Sequence, residues 1–208
     1  PMKHVVLALA LVLLLSPLAS ALSFSGSLAS PAGVTASGYW AQQGFKIEWM
    51  IEDQPDGSWF YQYWLTDAQG NPWEVAAVSH FTLEISPDAT ASDFWGYSGA
   101  VEFGDLNGMS SAMKLDFTAT HYKFYSNRAP VWGDFYAKDG RAGGLGLNEA
   151  YNAGFGAPDP TAMPGNGSIG NKILRPDTST TVVPEPGTML LMGIGLAGAG
   201  VVRRWRRT

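Results

Sequence analysis

Cysteine is absent from the 208-residue chain, which removes disulfides, thiolate metal sites and a thiol nucleophile together. A domain of roughly 160 residues buries enough surface to fold without such staples, so the absence restricts chemistry more than stability. Histidine is scarce as well. His4 lies near the N-terminus, and His80 and His121 are the two that remain. Ser79 precedes His80, but neighbours along a strand point to opposite faces, so adjacency makes no nucleophile and base, and ordinary strand histidines are expected. No GxSxG, HExxH or glycine-rich phosphate loop occurs. Long helical patterns are missing too, and 25 Gly with 13 Pro weigh against a bundle, since each costs about 1 and 3 kcal/mol in a helix interior. Basic residues are few where it matters. Setting aside Lys3, Arg203, Arg204, Arg206 and Arg207 leaves 8 Lys and Arg against 17 Asp and Glu once Glu185 is also removed. So acidic a middle repels phosphates, which need cationic contacts, and excludes nucleic-acid binding.

What is present is clearest at the ends. Met2, preceded by Pro1, reads as the start; Lys3 and His4 give a basic flank, 5–15 an apolar stretch, and Ala19-Ser20-Ala21 a small-x-small site. This is the pattern of a signal peptide over 1–21, cleaved after Ala21 by signal peptidase following Sec export. At the other end Val183-Pro184-Glu185-Pro186-Gly187-Thr188 precedes an apolar run over 189–202 and then Arg203, Arg204, Arg206 and Arg207. The run is shorter than the roughly 20 residues that cross a bilayer. The arginines compensate, because they stay on the cytoplasmic side and their long side chains snorkel. The expected topology is domain outside, tail inside. Residues 176–183, polar and rich in Pro, Ser and Thr, read as a linker.

The order VPEPGT, apolar segment, terminal arginines resembles the PEP-CTERM sorting domain of Gram-negative bacteria, covering 184–208 and its approach. The resemblance implies that Val183, Pro184, Glu185, Pro186, Gly187 and Thr188 are recognition elements read by an exosortase. It implies transient anchoring in the inner membrane with the domain in the periplasm, then release to the cell surface or an exopolysaccharide matrix. Pro184 and Pro186 hold the residues before them extended, presenting accessible backbone to a cutting enzyme.

The exported domain, 22–175, reads as all-β. Phe45, Ile47, Trp49 and Ile51 alternate with polar residues, 59–66 is aromatic on both faces, and Phe81, Leu83 and Ile85 share a face. Turns at 54–57 and 67–72 make the first two runs a hairpin. Shorter signals fall at 22–28 (an edge strand), 100–103, 113–117, 122–125, 132–136 and 169–174. Seven to nine strands without intervening helical patterns predict an antiparallel β-sandwich or jelly roll, flanked by an N-terminal signal helix and a C-terminal transmembrane helix. Residues 142–162 are aperiodic and read as a long loop. The segments 79–86 and 130–140 are similar to parts of uncharacterised β-rich proteins with the same tail, a resemblance that implies no activity.

No catalytic residue is assigned, and the domain reads as a non-catalytic surface or matrix protein. Glu48 and Glu52 share a strand face, where carboxylates about 5 to 9 Å apart would serve glycoside hydrolysis; an outward polar face explains them more simply. Asp53 with Asp56, Asp88 with Asp93, and Asp134 with Asp139 sit near loops. They suit turns and leave loop Ca²⁺ as the one cofactor option. Sugar binding is the alternative function. Trp59, Trp64, Trp73, Trp95 and Trp132 offer flat apolar faces, with Trp64 and Trp95 the candidates for exposure and Trp49 assigned to the core.

Overall fold

Alternation over 45–53 and 59–67 sets one side of each run inward and the other outward, and both become nine-residue strands. The computed structural model describes residues 21–139 and 144–176, all within one compact unit. The strands are β1 (Ser23–Ala29), β2 (Val34–Ala36), β3 (Phe45–Asp53), β4 (Trp59–Asp67), β5 (His80–Glu84), β6 (Phe94–Trp95) and β7 (Ala100–Leu106), followed by β8 (Met109–Asp116), β9 (His121–Ser126), β10 (Pro130–Gly133), β11 (Phe135–Lys138), β12 (Glu149–Asn152) and β13 (Ile173–Pro176). One short helix, α1 (Gly38–Gln43), is anchored by Trp40, whose indole N–H donates to the Ala76 carbonyl.

A five-stranded sheet in the order β1-β3-β4-β9-β6 faces a six-stranded sheet in the order β2-β12-β11-β5-β8-β7, and β10 pairs with β13 beside them. Every pairing between these strands is antiparallel. The two sheets are joined by aromatic rings. Phe81 of β5 packs against Tyr63 and Tyr122 of the opposite sheet at 5.2 and 5.1 Å, and Phe94 against Phe103 at 5.5 Å. Each such pair adds about 0.5–1.5 kcal/mol beyond its buried area. The buried hydroxyls cost little because backbone carbonyls take them: Tyr61 donates to Arg128, Tyr63 to Leu174 and Tyr122 to Val78.

The predicted sandwich is the observed fold, with thirteen strands among the described residues rather than seven to nine. The surplus has identifiable causes. β2 and β6 are three and two residues long, too short for a period to register. The run 132–136 breaks at Asp134 into β10 and β11. β12 lies inside 142–162, which was expected to be loop; tertiary pairing with β11 and β2 overrides its weak local pattern. At the C-terminal side Pro176, expected to open the linker, closes β13 opposite Pro130, tolerated because β13 has a single strand neighbour. β1 is an edge strand as expected. Its free side receives the Gly167 N–H at Ser25 O and offers the Ser25 N–H to Asn166 Oδ1, which blunts an exposed edge. Among the described residues no helix is long and apolar enough to cross a membrane. The signal segment with Ala19, the sorting motif Val183–Thr188 and the arginine tail lie outside the described residues, while Ala21 is the first residue described.

Candidate functional site

The outward half of β4 consists of Phe60, Gln62 and Trp64, and the registers of its neighbours extend these into rows. One row runs Trp95, Tyr125, Phe60, Glu52, Ser23; the next Lys123, Gln62, Met50, Ser25; the third His121, Trp64, Glu48, Ser27. The indole of Trp64 stacks on the His121 ring at 4.6 Å and 8°. β9 and β3 flank β4 on opposite sides, so the free face of the indole looks towards β3. There it walls an open cleft of about 520 Å³ shared with Ser25, Gly26, Ser27, Glu48 and Trp49.

Each wall has a local cause. Gly26 is bare because a Cβ would stand 2.3 Å from the Trp49 ring, so glycine lets that core indole fill the space under β1. The Trp49 N–H is buried without a hydrogen-bond partner. Glu48 is steadied by Lys46 Nζ at 2.9 Å, and Ser25 and Ser27 are exposed on the outward side of β1. Burial, and then the nearby Lys123, hold the His121 pKa below its ordinary value. A neutral imidazole therefore backs the indole. A flat apolar face, a fixed carboxylate and two hydroxyls converge on one solvent-filled depression, the composition that suits a ligand with a C–H face and a hydroxyl rim.

Trp95 is 41% exposed. It stacks on Tyr125 at 6.2 Å, and Tyr125 on Phe60 at 4.5 Å, a row of three rings on the same outward face. Four residues separate Phe60 from Trp64 along β4, or about 13 Å at the strand rise. The fold thus brings both candidate tryptophans to one surface. Trp73 and Trp132 are core at 7% and 1% exposure, and Trp59 is partly buried on Phe24, so these three leave the candidate set. Trp49 is core as expected. His121, Tyr125, Phe60 and the serines of β1 were not singled out from sequence. Period 2 in 121–125 assigns their face, but which strands adjoin is a matter of topology.

The remaining candidates separate differently. Glu48 and Glu52 do share a face, yet they too lie four residues apart, about 13 Å, beyond the range of a paired glycosidase. Ser79 and His80 were expected to point apart. Instead Ser79 Oγ lies 2.7 Å from His80 Nδ1, and His80 Nε2 3.0 Å from Asp116 Oδ1. The alternation rule fails because Ser79 precedes β5. The order of nitrogens is the reverse of a serine-hydrolase relay, in which Nε2 faces the nucleophile. Ser79 Oγ also donates to the Lys138 carbonyl, and Asp116 is shared with Lys114, so this cluster ties strand ends together. Four of the six loop aspartates are engaged in structure, while Asp53 Oδ1 and Asp139 Oδ2 are buried without a hydrogen-bond partner. Asp56 accepts from Ser58, which lowers its pKa, Asp88 and Asp93 bind Arg128, and Asp134 binds Lys172.

Residues 182–207 match the model of the PEP-CTERM protein-sorting motif. The chain therefore carries a PEP-CTERM protein-sorting motif over these residues. Comparison with curated proteins and with solved structures gave no match. A PEP-CTERM motif marks an exported protein sorted to the cell envelope or surface, with exosortase as its processing partner.

Proposed function

We propose that this PEP-CTERM protein is a non-catalytic component of the cell surface or extracellular matrix, whose sandwich binds polysaccharide through the outward face of the five-stranded sheet. One observation carries the reading: the free face of Trp64 borders a cleft with Glu48, Ser25 and Ser27. A pyranose ring stacks its C–H face on the indole while its hydroxyls donate to Glu48 and exchange hydrogen bonds with the serines. Trp95 and its stacked partners continue the contact along an extended glycan. Delivery follows the sorting logic: Sec export from a Gram-negative cytoplasm, signal-peptide removal after Ala21, anchoring in the inner membrane with the domain in the periplasm, and cleavage near Pro184, Glu185 and Pro186.

Affinity electrophoresis of the exported chain in gels containing matrix exopolysaccharide tests the binding. Retardation that is lost in Trp64→Ala and weakened in Trp95→Ala is the expected result; equal mobility with and without polysaccharide sinks the reading. Delivery is tested separately, by C-terminal mass spectrometry of protein from exosortase-containing cells. A mature chain still ending at Thr208 would contradict it.

A further inference from the structure

On the six-stranded sheet lies a buried group that the proposed function does not use. Lys172 Nζ is 2.7 Å from Asp134 Oδ1, with side-chain exposures of 1% and 7%. Asp134 extends β11 opposite Glu84. Its N–H donates to Glu84 Oε2 at 2.9 Å, and the Glu84 N–H returns to the Asp134 carbonyl. Carboxylate oxygens of Glu84, Asp134 and Asp159 fall within 4.8 Å of one another. Lys172 and Arg175 already supply the cations, Lys172 also at 3.1 Å from Asp159 and Arg175 at 2.8 Å.

We propose that Lys172 and Asp134 condense into an intramolecular amide, with Glu84 carrying the protons. The ground state is the ion pair. Although burial works against the ammonium, the hydrogen bonds it donates to Asp134 and Asp159 outweigh it and hold the Lys172 pKa up, so reaction passes through the less populated neutral pair. Glu84 suits the exchange because burial raises its pKa against the pull of Arg175. It hands a proton to Asp134 and regains one by way of Asp159, which lies 3.1 Å from the ammonium and takes its proton, leaving an amine beside a carboxylic acid. The amine then attacks Asp134 Cγ. Negative charge develops on Oδ2, which already accepts the Gly156 N–H at 2.9 Å, a donor placed as in an oxyanion hole. The Cγ–Oδ1 bond breaks, assisted by the Asn152 Nδ2 donor at 2.7 Å. Oδ1 departs as water with the Glu84 proton, and Glu84 regains one from the new amide nitrogen through Asp159. One C–N bond forms, one C–O bond breaks, and no redox partner is needed. Burial of Lys172 and Asp134 themselves opposes the reverse hydrolysis.

The location gives the bond a use. Lys172 immediately precedes β13, the last described strand before the sorting segment, and β13 is paired by four residues to β10 alone. An amide at Lys172 would stop a pull from the C-terminal side from unzipping the sandwich past that residue.

The full chain, produced in a host without exosortase, is denatured and mapped with trypsin. The expected product is a branched peptide joining the segments that contain Asp134 and Lys172, lighter than their sum by one water, with no cleavage after Lys172. Lys172→Arg should abolish it. Unmodified wild-type protein, cut after Lys172 with that amine free for labelling, would overturn the proposal even if the variant failed to fold. Glu84→Gln should slow or stop bond formation; formation at the wild-type rate would overturn the role given to Glu84.

Discussion

On the outward face of the five-stranded sheet, Trp95, Tyr125, Phe60, Trp64 and His121 stand in stacked rows, and a cleft opens beside them. On the outward face of the six-stranded sheet, His80 pairs with Asp116, Lys114 with Asp116 and Glu102, and Tyr136 donates to Glu149, while Asn107 bonds Thr82. Farther along, the chain at 156–172 brings Gly156 and Lys172 onto Asp134 beside Glu84, with Ala157 and Asp159 accepting from Lys172. Both surfaces are rich in functional side chains. The second has spent its hydrogen-bonding capacity on itself, whereas the first keeps one indole face and several polar groups turned to solvent. A count of polar residues would rank the six-stranded face as the better site; satisfaction of those residues reverses the ranking.

The largest expected effect lies on the satisfied face. Lys172→Ala removes the buried partner of Asp134, whether ion pair or amide, and leaves Asp159 with Arg175 alone; urea denaturation should record a loss of about 3–5 kcal/mol, with polysaccharide retardation unchanged in protein that remains folded. A loss below about 1 kcal/mol would break the assignment of stability to this side. Next, Trp64→Ala should weaken polysaccharide binding by at least tenfold, about 1.4 kcal/mol, without removing the folded state. Equal affinity in variant and wild type would break the assignment of binding to the other side. Asp116→Asn, at a half-exposed pair, should cost about 1 kcal/mol or less by thermal denaturation and leave binding intact.

The smallest effect is a pH dependence. His121 has a depressed pKa in the fold, so the stability it contributes is complete above its unfolded value of about 6.5 and is lost as pH falls through the lower folded value. The melting temperature should decline over that acidic window, less steeply in His121→Phe. Identical slopes would show that the ring does not report on the Trp64 stack.

Alternation in 45–53, 59–67 and 80–84 made the sandwich legible, because one buried face forces period 2. Where pairing depends on distant strands the pattern thins, and the two residues of β6 illustrate the consequence. Without β6 beside β9, Trp95 is one of three aromatics in a loop with no face assigned; with it, Trp95 completes a row. Trp64 is a candidate for exposure from the polar residues that share its strand face, but its neighbours His121 and Ser27 are far off in the chain and meet it through register alone. Ser79 and His80 meet for a local reason: Ser79 precedes β5, so the alternation that holds within a strand does not extend to it.

The sequence by itself determined the address and the class of the domain. The sorting motif is matched by its linear residue pattern over 182–207, so VPEPGT, an apolar run and terminal arginines are legible without any fold. The strand count, the shared face of Trp64 and Trp95, the cleft by Glu48 and the contact of Lys172 with Asp134 were decided by tertiary structure. Each depends on pairing between segments far apart in the chain, and such pairings are selected by the joint packing of a core that no local window contains.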